Sequence, residues 1–332
     1  MLKKVISKTK LDVGVVLELK KIHITNDTLY TMDIPSNLST VKVQYCKGNI
    51  SELIKKLPNT VRTLDLTCSD VKDCDFSHLD QVEEVILAGV SNSNPKMIES
   101  ISEEVNKLDV SGCDVNKIAF KRFKHITKLK FDFCKNLLPE QIMDISTTLK
   151  YLYLNIGSAR NIDFSRFVNL ESVVLDWIGD LNSEQITQLN PHIKKLELKS
   201  LRTPFKRGFP RFVSLEEVVF YYVKALKASH IKQLPKTIRR MEIIGIDVKD
   251  MTLSQFENLE ELLLSYCENL DQKTFKTIPK RVTKLTLADC DGQTLDFSKL
   301  DHLHELVLVN VTNLSAAQKK QIDTNIKNVT II

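Results

Sequence analysis

Apolar residues recur along this chain in the spacing L-x-x-L-x-L, with valine, isoleucine, methionine or phenylalanine standing in for leucine. The first positions are Leu19, Leu38, Val61, Val82, Val105, Ile126, Leu149, Leu170, Ile193, Leu215, Ile238, Leu259, Val282, Leu303 and Ile326, fifteen copies in all. From Leu38 onward the copies lie 23 and 21 residues apart in alternation, with a single 22 before Leu215. Two repeat types therefore share a 44-residue cycle, so that LEELLLSYCENL at 259–270 is nearly a copy of LEEVVFYYVKAL at 215–226. Within each copy the apolar residues three and five places after the first alternate with variable ones. That alternation predicts a short strand with one buried face.

The two types return to the next strand differently. The shorter carries phenylalanines at Phe76, Phe120 and Phe123, Phe164 and Phe167, Phe209 and Phe212, Phe256 and Phe297, nine of the fourteen in the chain. This predicts an extended return with an aromatic spine. The longer type spaces apolar residues three apart: Ile54 and Leu57, Ile98 and Ile101, Ile142 and Ile145, Ile186 and Leu189, Ile231 and Leu234, Phe275 and Ile278. Residues so spaced share a helical face and predict a helix of about two turns. Pro58, Pro235 and Pro279 stop it before the next strand.

LEELLLSYCENL fits the motif L-x-x-L-x-L-x-x-N/C-x-L through Cys267, with its closing leucine one place later, and on it the chain resembles leucine-rich-repeat proteins over almost its whole length. The resemblance implies an α/β solenoid, an arc whose concave face is a parallel β-sheet with alternating helical (23-residue) and extended (21-residue) returns. Residues 1–18 are expected to cap the N-terminal end and 19–332 to form a single solenoid domain. The last copy, IKNVTII, runs to Ile332, and its edge strand is expected to support weak end-to-end self-association.

Composition narrows the classes. An apolar content of 42% with nine glycines and nine prolines describes a folded chain. A net charge of +5 is mild and makes nucleic-acid or membrane-surface partners unexpected. No apolar run is long enough for a transmembrane segment. Charges interrupt the apolar pieces of MLKKVISKTKLDVGVVLELK, so it does not read as a signal peptide. A cytoplasmic protein is expected, or one delivered into a host cell by a secretion system that needs no N-terminal signal peptide. Seven cysteines without compact spacing fit a reducing compartment.

Candidate chemistry is sparse. Cys46, Cys113, Cys134, Cys267 and Cys290 all stand eight residues after their first position, a structural column in the family the chain resembles. Cys68 and Cys74 lie off it and are the better candidates for reactive thiols. The seven histidines scatter, and no H-E-x-x-H, G-x-S-x-G or glycine-rich phosphate loop occurs. Asp65 and Asp109 share a variable position two repeats apart, about 10 Å, which suits a polar face better than acid–base chemistry. No catalytic residue, metal or cofactor is expected; the chain does not read as an enzyme.

The variable positions carry the functional expectation. Lys195, Glu217, Arg240, Glu261, Lys284 and Glu305 alternate in sign across neighbouring strands and are expected to pair with one another. Phe133, Tyr151, Tyr153, Trp177, Tyr221, Tyr222 and Tyr266 stand outside the spine columns and are expected to anchor a protein partner on the concave face, in the repeats from Ile126 to Leu259. A basic stripe of Arg122, Arg166, Lys206, Arg207 and Arg211 on the return side is the alternative, for anionic surfaces of nucleic acid or phospholipid. RTPFKRGFP at 202–210 holds the extra residue of the 22-residue step and is expected to bulge. The resemblance implies a non-catalytic interaction module: an effector of intracellular bacteria or an inhibitor, with ubiquitin-ligase substrate adaptors as the alternative. Richness in lysine, isoleucine and asparagine with few glycines favours the effector, and virulence as its setting.

Overall fold

The computed structural model describes residues 5–7, 15–20, 32–202, 208–209, 211–224 and 226–332. The chain divides into two compact units, Met1–Ile156 and Gly157–Ile332. In the first, strands β1 (Val5–Ser7), β2 (Val15–Lys20), β3 (Leu38–Gln44), β4 (Thr63–Asp65), β5 (Glu84–Ile86), β6 (Lys107–Asp109), β7 (Lys128–Asp132) and β8 (Tyr151–Asn155) pair in chain order. β1 is antiparallel to β2, and the rest are parallel. In the second, β9 (Ser172–Asp176), β10 (Lys195–Lys199), β11 (Glu217–Tyr221), β12 (Arg240–Ile244), β13 (Glu261–Ser265), β14 (Lys284–Ala288), β15 (Glu305–Val309) and β16 (Asn328–Ile331) form a parallel row. Chain-order parallel strands joined by short returns make a leucine-rich-repeat solenoid fold.

Register follows the apolar spacing. Leu64, Val85, Leu108, Leu129 and Leu152 lie side by side on successive strands of the first unit. Val173, Leu196, Val218, Met241, Leu262, Leu285, Leu306 and Val329 do so in the second. A slip of one residue would turn these side chains to solvent, so the pattern itself fixes the pairing. Every first position from Leu38 to Ile326 is at most 5% exposed. Truncating any of these to alanine costs about 2–5 kcal/mol.

One boundary moves. Leu19 pairs with Val43 and Leu17 with Val41, so Leu17 and Leu19 fill the third and fifth places of the first copy, and Leu19 does not open it. The 19-residue step from Leu19 to Leu38, out of rhythm with the rest, is the sign of this in the sequence.

The long returns carry helices α1 (Ser51–Lys56), α2 (Pro95–Glu99), α3 (Pro139–Met143), α4 (Ser183–Thr187), α5 (Ala228–Ile231), α6 (Gln272–Phe275) and α7 (Ala316–Asn325). The first six hold four to six residues, shorter than the two turns expected. The second apolar residue of each pair closes the element with a tight i→i−3 bond: Leu57 to Ile54, Ile101 to Ile98, Ile145 to Ile142, Leu189 to Ile186, Leu234 to Ile231, Ile278 to Phe275. The chain thus leaves the helix on a 3₁₀-type turn with both apolar residues still inside. The short returns are extended, with 3₁₀ turns at Phe120–Arg122 and Phe164–Arg166. All nine spine phenylalanines are buried.

Candidate functional site

Every strand from β3 to β15 except β8 is followed by a left-handed residue. Seven places after the first position, φ lies between 48° and 79° at Tyr45, Cys68, Gly89, Gly112 and Phe133 in the first unit. The same holds at Trp177, Ser200, Tyr222, Gly245, Tyr266, Asp289 and Asn310 in the second. The cause is the ladder. The amide of this residue donates the last bond to the neighbouring repeat, as from Tyr45 to the Thr67 carbonyl, Trp177 to Lys199, Tyr222 to Ile244 and Tyr266 to Ala288. The chain must then turn sharply into its return. Glycine, asparagine or aspartate suits that conformation; a residue with a bulky side chain loses about 1–2 kcal/mol.

Five aromatic residues nonetheless occupy the column, all in long repeats: Tyr45 and Phe133 in one unit, Trp177, Tyr222 and Tyr266 in the other. Tyr45 is 50% exposed, Phe133 66%, Trp177 55% and Tyr266 53%. Tyr45 was not among the residues expected from sequence, although the 44-residue cycle places it in line with Phe133 and Trp177. Because long repeats alternate with short ones, Trp177, Tyr222 and Tyr266 follow every second strand, about 10 Å apart along the sheet edge.

In the second unit Tyr221, Tyr222 and Tyr266 form a connected group. Tyr221 and Tyr222 meet edge to face with centroids 4.8 Å apart, and Tyr222 and Tyr266 lie 6.5 Å apart. The Tyr222 ring leans over Gly245, where an added Cβ would stand 2.4 Å from it. Tyr222 is therefore partly packing, in keeping with its lower exposure of 39%. Asp289 beside Tyr266 pushes its phenol above the ordinary range, through its charge and a hydrogen bond. The Arg202 guanidinium sits 5.7 Å from the Trp177 ring. Tyr151 and Tyr153, in the first unit, stand on strand β8 and are only half exposed, with Lys128 5.0 Å above one ring and Lys130 5.2 Å above the other.

The sign-alternating ladder pairs internally: Lys195 with Glu217 at 3.4 Å, Arg240 with Glu261 at 3.8 Å, Lys284 with Glu305 at 3.1 Å. Glu197 sits between Lys195 and Lys199 at 2.9 and 2.6 Å. Burial alone would raise its pKa, but the two lysines hold the carboxyl below its ordinary value. Asp65 accepts from Gln44 and Thr67, and Asp109 accepts from Ser111 and lies 3.4 Å from Lys130, so each carboxylate is engaged by its own neighbours.

The cysteine column is structural. Cys46, Cys113, Cys134 and Cys267 direct their thiols at backbone carbonyls of the preceding repeat, at Leu19, Leu87, Val110 and Ile243. Burial pushes the thiols of Cys113, Cys134 and Cys267 up to about 12. Cys74 is buried with its thiol likewise raised to about 12, which removes it as a reactive candidate; Cys68 is exposed. Among the described residues no group of three or more histidine, cysteine, aspartate or glutamate side chains could hold a metal ion. No described helix is long and apolar enough to cross a membrane.

The return-side stripe is less open than its sequence suggests. Arg122 donates to the Glu99 carbonyl, lies 3.7 Å from Glu103 and covers the Phe123 ring. Arg166 buries its Nε without a hydrogen-bond partner among the described residues, while Arg211 is exposed. Lys206 and Arg207, with most of 202–210, lie outside the described residues.

The fold has solved counterparts. An internalin of Listeria monocytogenes superposes with a TM-score of 0.59 at 14% identity, covering 90% of this chain and 87% of that one. A leucine-rich-repeat protein of Leptospira interrogans gives 0.55 at 15% identity, covering 96% and 89%. No protein-family model matches the sequence, and no curated protein matches it either.

Proposed function

We propose that this leucine-rich-repeat chain is a non-catalytic protein-binding module whose anchors are the left-handed aromatics of the second unit, Trp177, Tyr222 and Tyr266, with Tyr221 beside them. The observation that supports this is the backbone. Bulky rings stand, half-exposed, where glycine or asparagine would be better tolerated, and strain of this kind gathers at functional positions. Large aromatics with two side-chain torsions lose little entropy when a partner covers them. The paired charges around them add selectivity more than affinity. The first unit carries further aromatics of the same chemistry, exposed at Tyr45 and Phe133 and half-exposed at Tyr151 and Tyr153. Delivery into a host cell as a bacterial effector is the setting we propose, on the lysine-, isoleucine- and asparagine-rich composition.

The test is capture from host-cell lysate by the wild type and by Trp177→Ala/Tyr266→Ala, followed by calorimetry with the protein retained. Tyr222 is left in place because it also packs on Gly245. Loss of about tenfold or more in affinity is expected from two anchors of this kind. Equal affinity of the two proteins rejects the aromatic row. Capture of salt-sensitive nucleic acid alone would favour the basic stripe instead.

A further inference from the structure

Polar side chains staple one repeat to the next at fixed places in the cycle, and in two of these places the second unit uses histidine. In the helical returns, Gln141, Gln185 and Gln318 occupy one column. Each is buried, accepts from the backbone amide three residues earlier, and donates to two carbonyls of the preceding return, as Gln185 does to Ala159 and Ile162 at 2.7 and 2.9 Å. His230 fills the same place in the repeat that carries Tyr221 and Tyr222. It is 8% exposed, and its Nδ1 accepts from the Lys227 amide at 3.0 Å.

The second place immediately precedes the strand motif. Asn258 donates there to the Lys236 carbonyl at 3.0 Å. Forty-four residues later stands His302, with both ring nitrogens buried and without a hydrogen-bond partner among the described residues. His78, His125, His192 and His304 are all exposed.

An amide cannot gain a proton at physiological pH; an imidazole can. The bond from the Lys227 amide needs an unprotonated Nδ1, and protonation would set two donors against each other inside the helix. Around His302 stand Lys280 and the single exposed carboxylate of Asp301, 3.9 Å away. A proton on the His302 ring would face Lys280 as well as Asp301.

We propose that His230 and His302 make the second unit proton-sensitive, so that mild acid releases the return of the Tyr221–Tyr222 repeat and the segment entering β15. This rests on the Lys227–His230 bond and on the buried His302 ring standing where Asn258 staples its own repeat, and it is independent of the binding role assigned to the aromatics. Burial holds the His302 pKa below its ordinary value, consistent with a ring kept neutral.

The chain supplies its own controls: His230→Gln and His302→Asn install residues already used at the equivalent places. Thermal midpoints of the full chain are measured from about pH 7.5 to about pH 5, the range in which histidine charges. The wild-type midpoint is expected to fall on acidification and that of the double variant to fall by less than about half as much, while His192→Asn keeps the wild-type slope. A double variant that tracks the wild type overturns the proposal. Should the variants fold poorly, histidine-ring NMR of the wild type decides: at about pH 7.5 the His230 ring must carry its proton on Nε2 and His302 must titrate below the ordinary histidine value, and a protonated His230 Nδ1 or a His302 titration at or above that value overturns it equally.

Discussion

At the scale of single residues, the left-handed column separates what a side chain costs from what it does. Gly245 needs φ +65° and lies under the Tyr222 ring. Gly245→Ala therefore meets both a strained backbone and a Cβ in contact with an aromatic, and is expected to lose about 1–3 kcal/mol in urea unfolding. Tyr266, at φ 48° and half exposed, presents the opposite balance. Tyr266→Asn puts a residue that tolerates this conformation in its place, and should leave stability unchanged or raise it by about 1 kcal/mol. If that variant binds its partner as the wild type does, the ring is ornamental at this position. Loss of binding with stability intact would mark it as an anchor held against its backbone preference.

At the scale of the element, the staples contribute as much as the apolar contacts they sit among. Gln185 satisfies the Asn182 amide and two buried carbonyls at once. Gln185→Ala should cost about 2–4 kcal/mol, more than its lost methylenes, because buried polar groups are left unmet; a loss under about 1 kcal/mol would mean that water replaces the amide. Elements of this kind also show how far the sequence could be read. Strand positions, return types and the phenylalanine spine were legible because burial alone dictates them, and burial leaves a period. The length of the helices was not, since Leu57 or Ile145 stays inside equally well on a 3₁₀ exit as on a second α-turn. The aromatic candidates were legible as outliers from the spine, yet their left-handed backbone was invisible, because residue type argues against it. Tyr151 and Tyr153 read as free anchors because nothing in their spacing shows that Lys128 and Lys130 lie over the rings. Arg122 reads as a rim charge for the same reason; its commitment to Glu103 and Phe123 is a matter of side-chain geometry.

At the scale of the whole molecule, the titrating groups divide acid unfolding into two stages. Turn aspartates recur throughout the chain, at Asp75, Asp163, Asp247, Asp271 and Asp296, and in each the amides and side chains they accept from hold the carboxyl below its ordinary 3.8. Glu197, burial notwithstanding, is held below 4.5 by Lys199 and Lys195. For a carboxyl lowered on folding, the stabilisation is complete above its unfolded value and is lost as pH falls through the folded one, so this stage begins near pH 4 in both units. His302 works in a different window. Its folded value lies below 6.5, so the native state is fully favoured above 6.5 and loses that advantage as pH drops beneath it. The histidine stage therefore comes first and belongs to residues 157–332. Trp177, the single tryptophan, lies in that unit and reports on it alone. Acid titration followed by Trp177 fluorescence should show a change that precedes the loss of far-ultraviolet dichroism. Glu197→Gln should leave that early change in place and alter only the late one. One coincident transition by both probes would mean that the carboxylates govern acid stability throughout and that the buried imidazoles add nothing separable.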